Sequence, residues 1–343
     1  LTGSDAANAI QANAGDDVIA GLGGADTIDG GSGADTLSGG LGDDVISGGE
    51  GDDTTSGGEG ADTIDGGSGI DTIEGGAGAD LIDGGSGDDL LFGGEGSDQI
   101  AGNTGDDYIV GGIGADTIDG GAGVDEIDYS TDAAAGGDAG VTVDLASGTA
   151  TDGFGAQDQL ANIENITGTE QSDQLTGNDG ANVIQGNAGD DVIAGLAGTD
   201  TIDGGAGVDE IDYSTDAGAG GDAGVTVDLA SGTATDGFGA QDQLANIENI
   251  TGTEQSDQLT GNDGANVIQG NAGDDVIAGL AGTDTIGGGA GADVLSGDLG
   301  DDVIAGGEGA DTIDGGEGAD VIDGGSGVDT IEGGSGADLI DGG

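Results

Sequence analysis

Residues 57–83 read GGEGADTID GGSGIDTIE GGAGADLID, one pattern written three times. Each nonapeptide carries glycine at positions 1, 2 and 4, an acid at position 6 and an aliphatic at position 8. A fixed short period of this kind decides architecture before any single residue does. One aliphatic in nine residues cannot build a globular core. Stacked coil upon coil, those side chains form a continuous ladder whose buried area grows only by adding neighbours. The period therefore predicts an all-β solenoid.

Each part of the nonapeptide has a physical job. Three glycines within four residues permit positive φ and close approach of neighbouring backbones, so the first half reads as a tight turn rather than a strand. Thr63, Ile64 and Asp65 alternate polar, apolar, polar, which predicts a very short strand with Ile64 facing inward. The acid at position 6 ends the turn, where backbone carbonyls and a carboxylate converge as hard oxygen ligands with no nitrogen or sulfur among them. That ligand set selects calcium over zinc or copper.

The pattern GGxGxDxUx, with U a large aliphatic, resembles the hemolysin-type calcium-binding repeat of RTX proteins. The resemblance implies a parallel β-roll, a β-solenoid whose 18-residue coils are made of two nonapeptides, with Ca2+ held between successive turns on each edge. It implies that Asp62 and Asp80 share one ion while Asp71 and Asp89 share one on the opposite edge. It further implies a bacterial chain exported unfolded by type I secretion, which folds outside the cell.

Counted in nines from Gly3, 14 repeats run unbroken to Asp128, five more from Gly168 to Asp212, and ten from Gly252 to Asp341. The domains expected are thus a β-roll array over 1–128, an irregular β insert over 129–167, a short array over 168–212, a copy of the insert over 213–251 and a third array over 252–343. In the first array only Thr55 breaks the aliphatic ladder at position 8. The expected calcium ligands at position 6 are Asp17, Asp26, Asp35, Asp44, Asp53, Asp62, Asp71, Asp80, Asp89, Asp98, Asp107, Asp116 and Asp125 in the first array. In the second they are Asp173, Asp191, Asp200 and Asp209. In the third they are Asp257, Asp275, Asp284, Asp293, Asp302, Asp311, Asp320, Asp329 and Asp338. Asn8, Asn182 and Asn266 keep an oxygen there but lose the charge. If each ion needs two repeats of the same edge, the arrays hold about 23 ions, or roughly +46 against the 71 acids.

The inserts copy one another: residues 117–200 and 201–284 differ only in Ala134 against Gly218. An active site has little reason to come in identical pairs, whereas a structural module does. Val141 to Leu145 alternates cleanly and predicts a longer half-buried strand. Leu160, Ile163 and Ile166 recur every three residues on the way into the next array. The Ala- and Gly-rich tract from Asp132 to Gly140 reads as a surface loop with a flexible tip.

Composition removes most other functions. The chain has no Lys, Arg or His against 71 Asp and Glu, a formal charge of −71, so it has nothing with which to neutralise phosphate. Nucleic acid and direct binding to anionic membranes are excluded, and the partners expected are calcium ions. A P-loop needs Lys, a zinc protease needs His, and a serine or cysteine nucleophile needs a base that is missing here. Carboxylate pairs such as Asp88-Asp89 are spread evenly along the repeat, without an aromatic sugar platform, so no catalytic role is expected. With no Cys, stability must come from metal rather than disulfides. No stretch reaches the roughly 20 apolar residues of a membrane span. The absence of an initiator Met and of a cationic leader reads as a fragment excised from a longer protein.

The function expected is a secreted, extracellular or cell-surface calcium-binding module. It folds on binding Ca2+ and serves as a rigid spacer in a larger adhesin, toxin or exoenzyme, with about 19 coils spanning on the order of 90 Å. The alternative is a self-assembling surface-layer, matrix or filament protein, in which exposed strand edges invite end-to-end or lateral association. An ice-binding solenoid would need a flat outward ladder of Thr, and Val45, Leu81 and Tyr108 interrupt it.

Overall fold

The computed structural model describes residues 1–343, with the side chains at 133 and 217 excepted. It divides into two compact units, Leu1–Gln171 and Ser172–Gly343. Both are parallel β-rolls with a two-repeat coil, in agreement with the fold class read from the period.

In the first unit every second repeat stacks on its predecessor. Thr63–Ser68 pairs in parallel with Leu81–Ser86 so that Ile64 sits beside Ile82 and Asp65 beside Asp83, an offset of 18 residues. The alternate repeats do the same, with Ile73 beside Leu91. Two columns of aliphatics result, and each rung from Ile19 to Ile127 is buried. Burying such a side chain contributes roughly 1.5–3 kcal/mol, which the ladder multiplies by repetition. Thr55 is buried in the same column, between Leu37 and Ile73.

In most of the first array the strands are longer than the sequence pattern indicates, whereas in the second array and most of the third they are the three-residue strands it predicts. From Ala9–Ala14 to Thr117–Ala122 they run six residues, as in Thr63–Ser68, continuing through the two glycines that begin the next repeat. The turn is confined to positions 4 to 6. Position 1 is nevertheless passed over by the ladder, which pairs Asp65 with Asp83 and Gly67 with Gly85 while leaving out Gly66 and Gly84. The three glycines also answer to different demands. Gly58 and Gly60 take φ of +115° and +139°, in the left-handed region. Gly57 does not; there a side chain would collide with the Asp62 carboxylate and the Gly75 carbonyl.

The insert re-enters the sheet by a different route. Gln157–Ala161 pairs in parallel with the repeat strand Thr117–Ala122, setting Leu160 beside Ile118. Thr149–Thr151 then runs antiparallel to Gln157–Ala161 and to Thr142–Asp144. Of the Val141 to Leu145 stretch, only Thr142–Asp144 is strand. On the other edge Asn165–Thr167 pairs in parallel with Glu126–Asp128. In the second unit the copy repeats these pairings with Thr226–Asp228, Thr233–Thr235 and Gln241–Ala245. The tract read as a loop opens with a short helix, Asp132–Ala135, and its first residue is buried rather than at a free tip. The Asp132 carboxylate anchors it by accepting the Gly153 N–H at 2.9 Å.

Candidate metal centre

The turn closing each repeat aims one aspartate inward, and the same hydrogen bond holds it in coil after coil. The Asp44 N–H donates to Asp62 Oδ1 at 2.7 Å, and the Asp62 N–H to Asp80 Oδ1 at 2.8 Å. On the opposite edge Asp53 donates to Asp71, and Asp71 to Asp89. Each carboxylate is therefore pinned by one oxygen to the coil before it. Aspartates 18 residues apart form two continuous columns, with the pairs Asp62 with Asp80 and Asp71 with Asp89 brought together.

The second oxygen is the informative one. In Asp26, Asp35, Asp44, Asp53, Asp62, Asp71, Asp80, Asp89, Asp98, Asp107, Asp116 and Asp125 the Oδ2 atom is buried and has no hydrogen-bond partner. The same holds in Asp191, Asp200, Asp209, Asp275, Asp284, Asp293, Asp302, Asp311, Asp320 and Asp329. A buried carboxylate oxygen with no donor is costly, and the chain holds no Lys, Arg or His that could answer it. Beside it lies a second oxygen: a Cβ built on Gly66 would stand 2.6 Å from Asp71 Oδ2 and 2.6 Å from the Gly84 carbonyl oxygen. Position 1 is glycine because two oxygens converge there.

Desolvation governs the acidity of these groups. It pushes Asp62 and Asp71 up to about 6, and Asp89, Asp191 and Asp275 up to about 7, against the opposing backbone hydrogen bond each accepts. Repulsion by the neighbouring carboxylates of the column adds to the rise. Hard oxygens only, an orphaned carboxylate and an adjacent carbonyl fit a calcium ion. Among the described residues no group of three or more acids is closed tightly enough to hold an ion by side chains alone, so backbone oxygens belong to any such shell.

Not every position-6 residue looks alike. Asp17, Asp329 and Asp338 are only half-buried. Asp173 is buried, and its N–H donates to Asp191 Oδ1 at 2.8 Å. In Asp257 both oxygens are occupied, Oδ1 by the Val225 N–H and the Thr253 hydroxyl, Oδ2 by the Thr253 N–H.

Four further acids occupy the same rung without having been singled out in the sequence. The Asp116 N–H donates to Asp158 Oδ1 and the Asp125 N–H to Glu164 Oε2, both at 2.9 Å. Asp242 and Glu248 receive Asp200 and Asp209 in the copy. The signal was present as Asp158-Gln159-Leu160 and Glu164-Asn165-Ile166, each an acid two residues before a ladder aliphatic. At Asp158, however, the second oxygen is satisfied by the Tyr129 hydroxyl at 3.0 Å, and at Asp242 by Tyr213 at 3.3 Å.

A family model described as the RTX calcium-binding nonapeptide repeat, in four copies, matches residues 2–37, 29–64, 56–91, 65–100, 92–127, 162–185, 176–211, 251–286, 287–322 and 314–343. The chain belongs to the RTX calcium-binding repeat family. Residues 128–161 and 212–250, the bulk of the two inserts, lie outside the matched stretches. No curated protein matches the chain. Among the described residues, no helix of this RTX chain is long and apolar enough to cross a membrane.

Proposed function

We propose that this RTX region is a secreted module that folds on binding calcium and serves as a stiff, non-catalytic spacer within a larger extracellular protein. The observation that carries the reading is the column of buried, unpartnered Oδ2 atoms running through both units. Most of them stand beside a backbone carbonyl of the next coil as ligands in waiting, and the chain holds no cationic side chain to answer them. The position-6 aspartates act as the charged ligands and the turn carbonyls complete the shell, with about 23 ions if each is shared by two repeats of one edge. Metal binding and folding then become one event, as in other domains with small cores. A cell interior poor in free calcium leaves the chain unfolded for export, and millimolar calcium outside folds it.

Two measurements test this. Far-UV circular dichroism in excess chelator at pH 8 should show coil, and millimolar calcium should restore the β signal cooperatively; a calcium-independent β spectrum at that pH overturns coupled folding. Force spectroscopy addresses the spacer. The calcium-loaded chain should resist extension until its coils rupture, whereas in chelator it should stretch from the lowest forces as a flexible polymer. Equal compliance in the two conditions overturns the mechanical role.

A further inference from the structure

Throughout the three arrays the last position of the repeat holds a polar or small residue, with two exceptions, Phe92 and Val110. Parallel pairing of Leu90–Glu95 with Tyr108–Ile113 sets the two side by side. They continue a column in which Ser38, Ser56 and Glu74 precede them on the same sheet. The Tyr108 ring lies 6.2 Å from that of Phe92 and is tilted to it by 59°, so the Phe92 ring has a neighbour before any ligand arrives. A groove of about 560 Å³ opens over the pair, within the size range of ligand clefts. Ile113 and Ala135, the last residue of the insert's short helix, add apolar lining, and Glu74 and Glu95 add two exposed carboxylates. A third acid, Asp132, is buried there and already accepts the Gly153 N–H.

Packing of the fold does not account for this lining. The aliphatic ladder runs through position 8, on the other side of the strand, where Leu91 is fully buried. The insert does not need it either. Its copy forms the same short helix, Asp216–Ala219, yet at the same 84-residue offset Phe92, Val110 and Ile113 have become Thr176, Ala194 and Ala197. Ala194 is 6 % exposed and Val110 7 %, so the smaller residue is covered as well as the larger. The large apolar residues therefore belong to the groove of the first unit and not to the seating of the insert.

We propose that this groove docks a basic segment of a partner protein, one in which an aromatic or large aliphatic side chain is flanked by Lys or Arg. The apolar side chain packs on Phe92 and Val110, where burial supplies the affinity, and the flanking cations reach Glu74 and Glu95. Charge decides the occupant. The chain has no Lys, Arg or His, and with the roughly +46 expected from calcium set against its 71 acids it stays negative, so a second copy or an acidic peptide meets repulsion at this face. A purely apolar ligand leaves both carboxylates unanswered. The groove gives the stiff module a place to hold a partner, a role beyond that of a spacer.

The test uses the full chain in calcium. A phage-displayed library of random peptides is selected on the wild type and on Phe92→Ser with Val110→Ser, which gives the column the residue it already carries at Ser38 and Ser56. The double variant keeps every charge, so peptides that merely follow net charge are recovered on both. Sequences recovered on the wild type alone should join Lys or Arg to an aromatic or large aliphatic residue. A synthetic peptide of the enriched sequence should bind at one site per chain, at least tenfold more weakly to the double variant and several-fold more weakly to Glu74→Gln with Glu95→Gln. Its affinity should also fall as salt is raised. Failure to recover any sequence specific to the wild type overturns the proposal, as does recovery of sequences without basic residues. A wild-type dimer in sedimentation velocity that dissociates in the double variant overturns it too, because the groove would then be a face between copies. Should circular dichroism show that the double variant does not fold, Phe92→Thr, the residue at the matching Thr176 of the copy, decides by the same criteria.

Discussion

Asp71 in an array and Asp158 in an insert stand on equivalent rungs, each pinned by the backbone N–H of the coil before it, yet their second oxygens differ. Asp71 Oδ2 is buried with no partner, whereas Asp158 Oδ2 receives the Tyr129 hydroxyl. At one rung the chain supplies its own donor; at the other it leaves the role to something from solution. In the proposed function the array is thereby made conditional on a cation, whereas the rung at Asp158 is satisfied by the chain's own hydroxyl. The comparison can be broken at the level of the whole array or of single residues, with effects that shrink in that order.

Protons act on every array carboxylate at once, so pH should give the largest change. Burial raises Asp62 and Asp71 to about 6 and Asp89, Asp191 and Asp275 to about 7, above the unfolded value near 3.9. A raised folded-state value means that the roll binds more protons than the unfolded chain. This contribution is fully present below about pH 4 and lost as pH rises through about 6 to 7. In chelator, then, β content should be greater at pH 5 than at pH 8. Calcium runs the other way, because it needs the carboxylates ionised: its folding midpoint should move to lower calcium as pH rises from 5.5 to 7.5. A midpoint independent of pH in circular dichroism titrations would remove the buried carboxylates from the binding reaction.

A single-residue contrast comes next. Asp62 is buried at position 6, whereas Asp65 at position 9 is exposed on the outward side of the strand. Asp62→Asn keeps an acceptor for the Asp44 N–H but removes a charged ligand able to serve ions above and below. Two adjacent sites should weaken, each by roughly tenfold or about 1.4 kcal/mol. Asp65→Asn removes only surface repulsion, screened by salt, and should change stability by less than about 0.5 kcal/mol. Calcium titrations of both variants in one buffer decide the matter, and equal losses would defeat position 6 as the ligand.

Much of this was legible in the residues because the period links local conformation to stacking. The Ile64 ladder and the inward acid follow from one aliphatic and one acid at fixed spacing, and the 18-residue register follows from the resemblance to the RTX repeat. The rung at Asp158 was hidden by one extra residue: Gly153-x-Gly155-x-x-Asp158 replaces Gly-x-Gly-x-Asp, and nine-residue counting steps over it. Glu164 was hidden because no glycines precede it at the array spacing. The extent of the strands was misjudged for most of the first array and at Thr285–Ala290 and Val303–Gly309, for a different reason. Glycine propensity speaks against a strand, but pairing with an identical neighbour above and below overrides it, and Gly67 and Ser68 join the ladder. That position 1 must lack a Cβ for the sake of two oxygens, while positions 2 and 4 need positive φ, could be seen only once the coils were stacked.

The tyrosine that distinguishes the two rungs can be removed directly. Tyr129→Phe leaves Asp158 Oδ2 in the condition of Asp71 Oδ2, a buried acceptor without a donor, at a cost of about 1–3 kcal/mol. If the hydroxyl stands where the array relies on a cation, the loss should be greater in low calcium than at saturation. Thermal melts at the two concentrations measure it. Equal destabilisation in both would mean that Tyr129 contributes only packing.

The smallest effect concerns the one flaw in the ladder itself. Thr55 lies between Leu37 and Ile73 in its column, is 2 % exposed, and its hydroxyl has no hydrogen-bond partner. Its side-chain volume nearly equals that of Val, so Thr55→Val changes little except to remove a desolvated hydroxyl, for a gain of about 1 kcal/mol. Thr55→Ile should gain as much or more, because the rungs on either side accommodate Leu and Ile. Folding and calcium binding are coupled in the proposed function, so a more stable coil should fold at lower calcium, and both variants should shift the midpoint downward by a small, equal-signed amount. The sign discriminates between causes: a stiffer core lowers the midpoint without changing the number of ions bound, whereas a hydroxyl that served as a ligand would make both variants bind fewer. An unchanged or higher midpoint would show that the aliphatic column, unlike the column of aspartates beside it, does not set the calcium requirement of this coil.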